Sequence, residues 1–106
     1  LVRQQRIGDA LPYLKAAAAS GVSHYAYVYG VALNEVGRPR EAIAELQQAL
    51  SAAPDDQELL YGLASIAAAA GQPNVALPPA RRLAALNPDN PEIQQFLARL
   101  EGAPGR

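Results

Sequence analysis

The sequence predicts an all-α fold, a stack of antiparallel helix pairs, on three observations. Alanine, the best helix former and the smallest residue that still packs, makes up about a fifth of the chain. Two stretches, "VYGVALNEVGRPREAIAELQQALSAAPDD" (28 to 56) and "GLASIAAAAGQPNVALPPARRLAALNPDN" (62 to 90), align without a gap at a spacing of 34 residues. Each is punctuated as helix, turn, helix by glycine and proline at matching places.

The first element is expected over about 7 to 19, the second helix of an incomplete repeat. It carries "DALPYLKAAAA", which matches "EAIAELQQAL" with Ala10 against Ala42, Leu14 against Leu46 and Ala17 against Ala49. Helix pairs follow at about 24 to 36 with 39 to 52, and 57 to 70 with 73 to 86. Gly37 and Gly71 fit the left-handed position past a helix end, and Pro39 and Pro73 the first turn of the next helix. "APDDQE" and "NPDNPE" fit capped loops between repeats, with Asp or Asn as the cap. A last helix, "PEIQQFLARLE", runs from about 91 to 101, and "GAPGR" is expected as a frayed tail. Repeats of this kind stack into a solenoid whose terminal helices need a polar outer face, and Glu92, Gln94, Gln95 and Glu101 suit the last helix to that role.

The segment "HYAYVYGVAL" (24 to 33) opposes this layout locally. Tyr25, Tyr27 and Tyr29 alternate, as in a half-buried strand. Read as a helix, the same residues divide into two stripes. Ala26, Tyr29, Gly30, Leu33 and Val36 face inward, with Gly30 expected against Ala42 and Ala49. His24, Tyr27, Val31 and Asn34 form the other stripe, with Glu35 beside it, and Tyr25 is expected at a repeat boundary. The echo of Tyr27 in Tyr61, 34 residues on, favours the helix. Pro12 and Pro78 share one repeat position, and Pro79 follows. An interior proline costs about 3 kcal/mol, which predicts second helices that start late, capped by Asp9 and Asn74, or that kink.

Composition narrows the function. A net charge of −1 gives no reason to invoke nucleic acid or an anionic membrane. No cysteine and a single histidine exclude thiolate and multi-histidine metal sites. No apolar run approaches the roughly 20 residues of a membrane-spanning helix. Ser20, Ser23, Ser51 and Ser65 have no base beyond that one histidine, no carboxylate pair sits among apolar neighbours, and no glycine-rich phosphate loop opens a helix. Neither catalytic residues nor a cofactor are expected. Compartment is left open, because no targeting segment is visible.

The chain resembles the tetratricopeptide repeat family, in its bacterial form, over nearly its whole length. Residues 23 to 56 carry the motif as Tyr29-Gly30, Leu33, Gly37, Ala42, Leu46, Ala49 and Pro54; residues 57 to 90 carry it as Leu63-Ala64, Ala67, Gly71, Ala76, Ala80 and Pro88. The family's early aromatic is Ala26 or Leu60 here, its aromatic after the turn is Pro39 or Pro73, and Leu83-Ala84 is swapped relative to Ala49-Leu50. The resemblance implies a right-handed α-solenoid of about two and a half repeats: a partial repeat (1–22), two full ones (23–56 and 57–90), a capping helix (91–101) and a tail (102–106). Aligned by Ala10, Leu1 falls inside a first helix, so a fragment of a longer chain is expected.

The resemblance also implies a concave groove, lined by the first helices, that holds a peptide or a partner protein. Here the groove positions are His24, Tyr27, Val31, Asn34 and Glu35, then Glu58, Tyr61 and Ser65, then Gln95 and Arg99. Tyrosine offers a large apolar face and a hydroxyl at low entropy cost, so Tyr27 and Tyr61 are the expected anchors. Some members clamp a partner's terminal carboxylate with Lys, Asn and Arg, but Asn34 and Arg99 alone do not rebuild that clamp. Arg38, Arg40, Arg81 and Arg82 are expected on the solvated convex side. Two other roles are compatible with the sequence. One is a C-terminal helper or docking domain of a larger bacterial enzyme or multi-haem electron-transfer protein, although no haem-attachment motif is present. The other is self-association through the N-terminal end, where Leu11 and Leu14 are expected to be exposed.

Overall fold

The computed structural model describes residues 2 to 102, with the side chains of Val2 and Gln4 left out. Leu1 and residues 103–106, most of the expected tail, lie outside the described residues. Six helices follow one another: α1 (Val2–Ala18), α2 (Ser23–Glu35), α3 (Pro39–Ala52), α4 (Gln57–Ala69), α5 (Pro73–Leu86) and α6 (Pro91–Gly102). Each packs on the next, and α2 also touches α4 directly. That pattern, neighbour on neighbour plus first helix on first helix, is a helical repeat solenoid. "HYAYVYGVAL" lies wholly within α2, so the alternating tyrosines are helical.

The turns inside the repeats are set by glycine. Gly37 has φ 82° and Gly71 has φ 75°, where a side chain would be strained. At the first turn the Arg38 amide donates to the Leu33 carbonyl at 2.9 Å and the Gly37 amide to Asn34 at 3.0 Å. The second turn repeats this, Gln72 to Ala67 at 2.9 Å and Gly71 to Ala68 at 3.1 Å. This paired closure satisfies carbonyls that a helix end leaves free. Pro39 and Pro73 then open α3 and α5. Between repeats, Asp56 Oδ1 caps α4 by accepting from the Leu59 amide at 3.0 Å. Asn90 Oδ1 does the same for α6, accepting from Glu92 at 3.0 Å and Ile93 at 3.2 Å.

Three expectations are corrected. The second helices do not start late. Pro12 lies inside α1, and Pro78 and Pro79 lie inside α5. The turn at Gly71 and Gln72 fixes the start of α5 at Pro73, ahead of the two prolines, so Asn74 is not a cap. Buried Pro79, Ala80 and Leu83 hold the helix beyond them. Asp9 lies mid-helix in α1. No first helix or turn interrupts residues 2 to 6, because Gln5 and Ile7 stand where the other repeats have Gly37 and Pro39. Finally, Gly30 faces Leu46 more closely than the alanines: a β-carbon on Gly30 would come within 2.9 Å of Leu46 Cγ and Cδ2.

The core runs along the seam between first and second helices. Leu33, Leu46 and Leu59 are fully buried, and so are Ala42, Ala64, Ala67, Ala76 and Ala80. Small residues at these contacts let backbones approach and leave room for the leucines. Tyr29 is buried as expected, and burial, with Glu45 nearby, raises the pKa of its hydroxyl. Tyr25 is 46% exposed, with its ring beside that of His24.

Polar contacts tie helices together within and between repeats. Asn87 Nδ2 donates to Gln57 Oε1 at 2.8 Å, and Gln94 Nε2 donates to the carbonyls of Ala84 and Asn87 at 3.0 Å. Arg82 holds Asp55 through two hydrogen bonds of 2.7 and 2.8 Å. Those bonds depress the Asp55 pKa. Arg38 does the same to Glu41. A carboxylate with a lowered folded pKa adds stability above its ordinary value of about 3.9, and loses it as pH falls through the folded value. The thermal midpoint should therefore fall as pH drops below about 4, and Asp55→Asn should flatten part of that fall. Thermal melts across that range check this. An unchanged slope in Asp55→Asn would contradict it. Both groups are exposed, so added salt should weaken the effect.

Candidate partner-binding groove

Three first-type helices, α2, α4 and α6, present the residues of interest. At one end, His24 Nδ1 meets Glu58 Oε1 at 2.8 Å, joining α2 to α4. The His24 ring lies nearly parallel to that of Tyr27, with 6.4 Å between centroids. Tyr27 is half-buried, and its ring lies against Gly62 of α4. A β-carbon there would come 2.9 Å from Tyr27 Cε1. Tyr61, one residue earlier, is 50% exposed and packs on Phe96 of α6 with ring centroids 5.3 Å apart. Two groups thus bridge the first helices: His24 and Tyr27 of α2 against Glu58 and Gly62 of α4, and Tyr61 of α4 against Phe96 of α6.

The other predicted positions are placed differently. Val31 and Glu35 face α1, where they line an opening with Arg3, Arg6 and Ile7. Glu35 also pairs with Arg3 at 2.8 Å. Asn34 is half-buried on the same helix. The Ser65 hydroxyl is buried and has no hydrogen-bond partner. Gln95 and Arg99 are exposed on α6.

Phe96 and Gly62 were not anticipated. Phe96 is the sole phenylalanine of the chain and follows Tyr61 by one repeat plus one residue, as Gly62 follows Tyr27. That shared offset of 35 was the available signal. It reflects contact between adjacent first helices, not equivalence within a repeat.

The arginines expected on the convex side are exposed, and three are paired: Arg38 with Glu41, Arg81 with Glu101 and Arg82 with Asp55. An apolar opening of about 600 Å³ also lies among α3, α4 and α5, lined by Leu50, Leu60, Leu63, Pro78 and Pro79. Its charged lining groups, Asp55 and Arg82, satisfy each other. Among the described residues, no cluster of three His, Cys, Asp or Glu could hold a metal, and no helix is long and apolar enough to cross a membrane.

A family model described as tetratricopeptide repeat matches residues 33–100. The chain belongs to the tetratricopeptide repeat family. Repeats of this family generally mediate protein–protein interaction and are typically non-catalytic scaffolds. No curated protein matches the chain.

Proposed function

We propose that the chain is a non-catalytic interaction scaffold that docks an extended peptide or partner protein across α2, α4 and α6. One observation supports this most: Tyr27 against Gly62 and Tyr61 against Phe96 bridge three successive first helices, with the His24–Glu58 pair beside Tyr27. Aromatic rings with a polar handle are good interface anchors because they bury much area while freezing few torsions. Tyr61 is the free anchor. Tyr27, seated on Gly62, is a rigid wall. Val31, Asn34, Glu35 and Ser65 on one side and Gln95 and Arg99 on the other would extend the groove in both directions.

Peptides selected from a random display library against the chain test this. Titration calorimetry of a selected peptide should show at least a tenfold affinity loss for Tyr27→Ala/Tyr61→Ala, about 1.4 kcal/mol or more. Tyr61→Ala alone should lose part of it, with circular dichroism unchanged because the ring is half-exposed. Undiminished affinity in a folded double variant would refute the groove.

A further inference from the structure

One notch recurs along the array with two different linings. It lies where a second helix meets both helices of the next repeat. Among α1, α2 and α3 it is small, about 230 Å³, and its lining includes Ala18, Ala26, Glu45 and Gln48. Among α3, α4 and α5 it opens to about 600 Å³, and the same repeat positions hold Leu50, Leu60, Pro79 and Arg82. Stacking of the repeats does not require this apolar lining, since the earlier copy stacks without it. Pro54 and Pro78 join Pro79 around the larger opening. Pro78 and Pro79 each remove an amide donor from the interior of α5, where α3 has Ala44 and Glu45. The polar groups at the rim satisfy one another. Arg82 Nε and Nη2 donate to the two oxygens of Asp55 at 2.7 and 2.8 Å, and the Ser51 hydroxyl donates to the Gln48 carbonyl.

We propose that the opening among α3, α4 and α5 binds a small, uncharged aromatic molecule of one or two rings. Its volume lies within the range of about 300–1,000 Å³ of small-molecule sites, which are mostly apolar with a few placed polar groups. Its two charged groups neutralise each other, so a charged ligand would have to break the Asp55–Arg82 pair. The prolines select for aromatic character. Hydrogens on a proline ring carry partial positive charge and lie well against the negative face of an aromatic ring. Arg82 adds to this, because its two bonds to Asp55 fix the plane of a guanidinium that can stack on a ring at the rim. All three helices have neighbours on both sides in the array. The site goes beyond the groove reading and uses neither Tyr27 nor Tyr61.

An amide chemical-shift titration of the chain with indole tests this, with cyclohexanol as a saturated control. Indole should give saturable shifts on Leu50, Leu60, Leu63 and Arg82, with a Kd of about 1 mM or tighter. Cyclohexanol should bind at least about fivefold more weakly, since it has no aromatic face for the prolines and Arg82. Pro78→Ala/Pro79→Glu gives this notch the residues of the earlier one. It should weaken indole at least tenfold while circular dichroism keeps the helical signal, because α3 carries Ala44 and Glu45 at those places. If that variant does not fold, Arg82→Gln, at an exposed position, should weaken indole about threefold through loss of the stacked cation. No saturable shift with indole, shifts centred on Tyr61 and Phe96, equal affinity for cyclohexanol, or undiminished affinity in the folded variants would overturn the proposal.

Discussion

Ala42→Glu should leave the chain unfolded. Ala42 has no exposed surface and sits where α3 meets α2. A glutamate there has no room, and forcing extra atoms into a packed core costs about 1–3 kcal/mol. Its carboxylate must also leave water, and among the described residues no charged residue is buried in the core to pair with it. Stripping a polar group of its hydrogen bonds costs about 2–7 kcal/mol, and a charge costs more. A domain of this size has about 5–15 kcal/mol of stability in total. Circular dichroism at 222 nm should show the helical signal lost. A stable, fully helical Ala42→Glu variant would mean that the register of α2 on α3 is wrong.

Leu46→Ala should be the next most damaging, at about 2–5 kcal/mol by urea unfolding. Leu46 is fully buried, and its side chain fills the space that Gly30 leaves open. The same geometry makes the effect of Gly30→Ala depend on residue 46. With Leu46 present, the new methyl would come within 2.9 Å of Leu46 Cγ, so the variant should be less stable. With Leu46→Ala present, the methyl enters the void, and glycine's helical penalty of about 1 kcal/mol is removed. Gly30→Ala should then stabilise the protein. A double-mutant cycle reads this as a coupling of more than about 1 kcal/mol. Additive effects would show that residues 30 and 46 do not touch.

The parts of the fold that were legible in the sequence are those fixed by local chemistry repeated in register. Gly37 with Gly71, and Pro39 with Pro73, mark turns because few other residues suit those backbone positions. Asp56 and Asn90 mark helix starts because their side chains are the right length to reach the next amides. The tyrosines misled only at short range, and the spacing of 34 corrected them. Pro12 and Pro78 misled more deeply about where their helices begin. Their local cost is real, but the turn ahead of α5 and the buried residues beyond Pro79 outweigh it. Residues 2 to 6 misled for the opposite reason, since a register carried over by homology placed a turn where no glycine or proline makes one. In the candidate groove, Tyr27 and Tyr61 were visible as repeat equivalents. Phe96 and Gly62 were not, because contacts between neighbouring first helices follow packing and not the repeat period.

The most direct test of the groove is an amide chemical-shift map of the chain titrated with a display-selected peptide. The account predicts perturbations concentrated on His24, Tyr27, Glu58, Tyr61 and Phe96 and their neighbours on α2, α4 and α6. Perturbations centred instead on Leu50, Asp55 and Arg82, around the apolar opening among α3, α4 and α5, would contradict it.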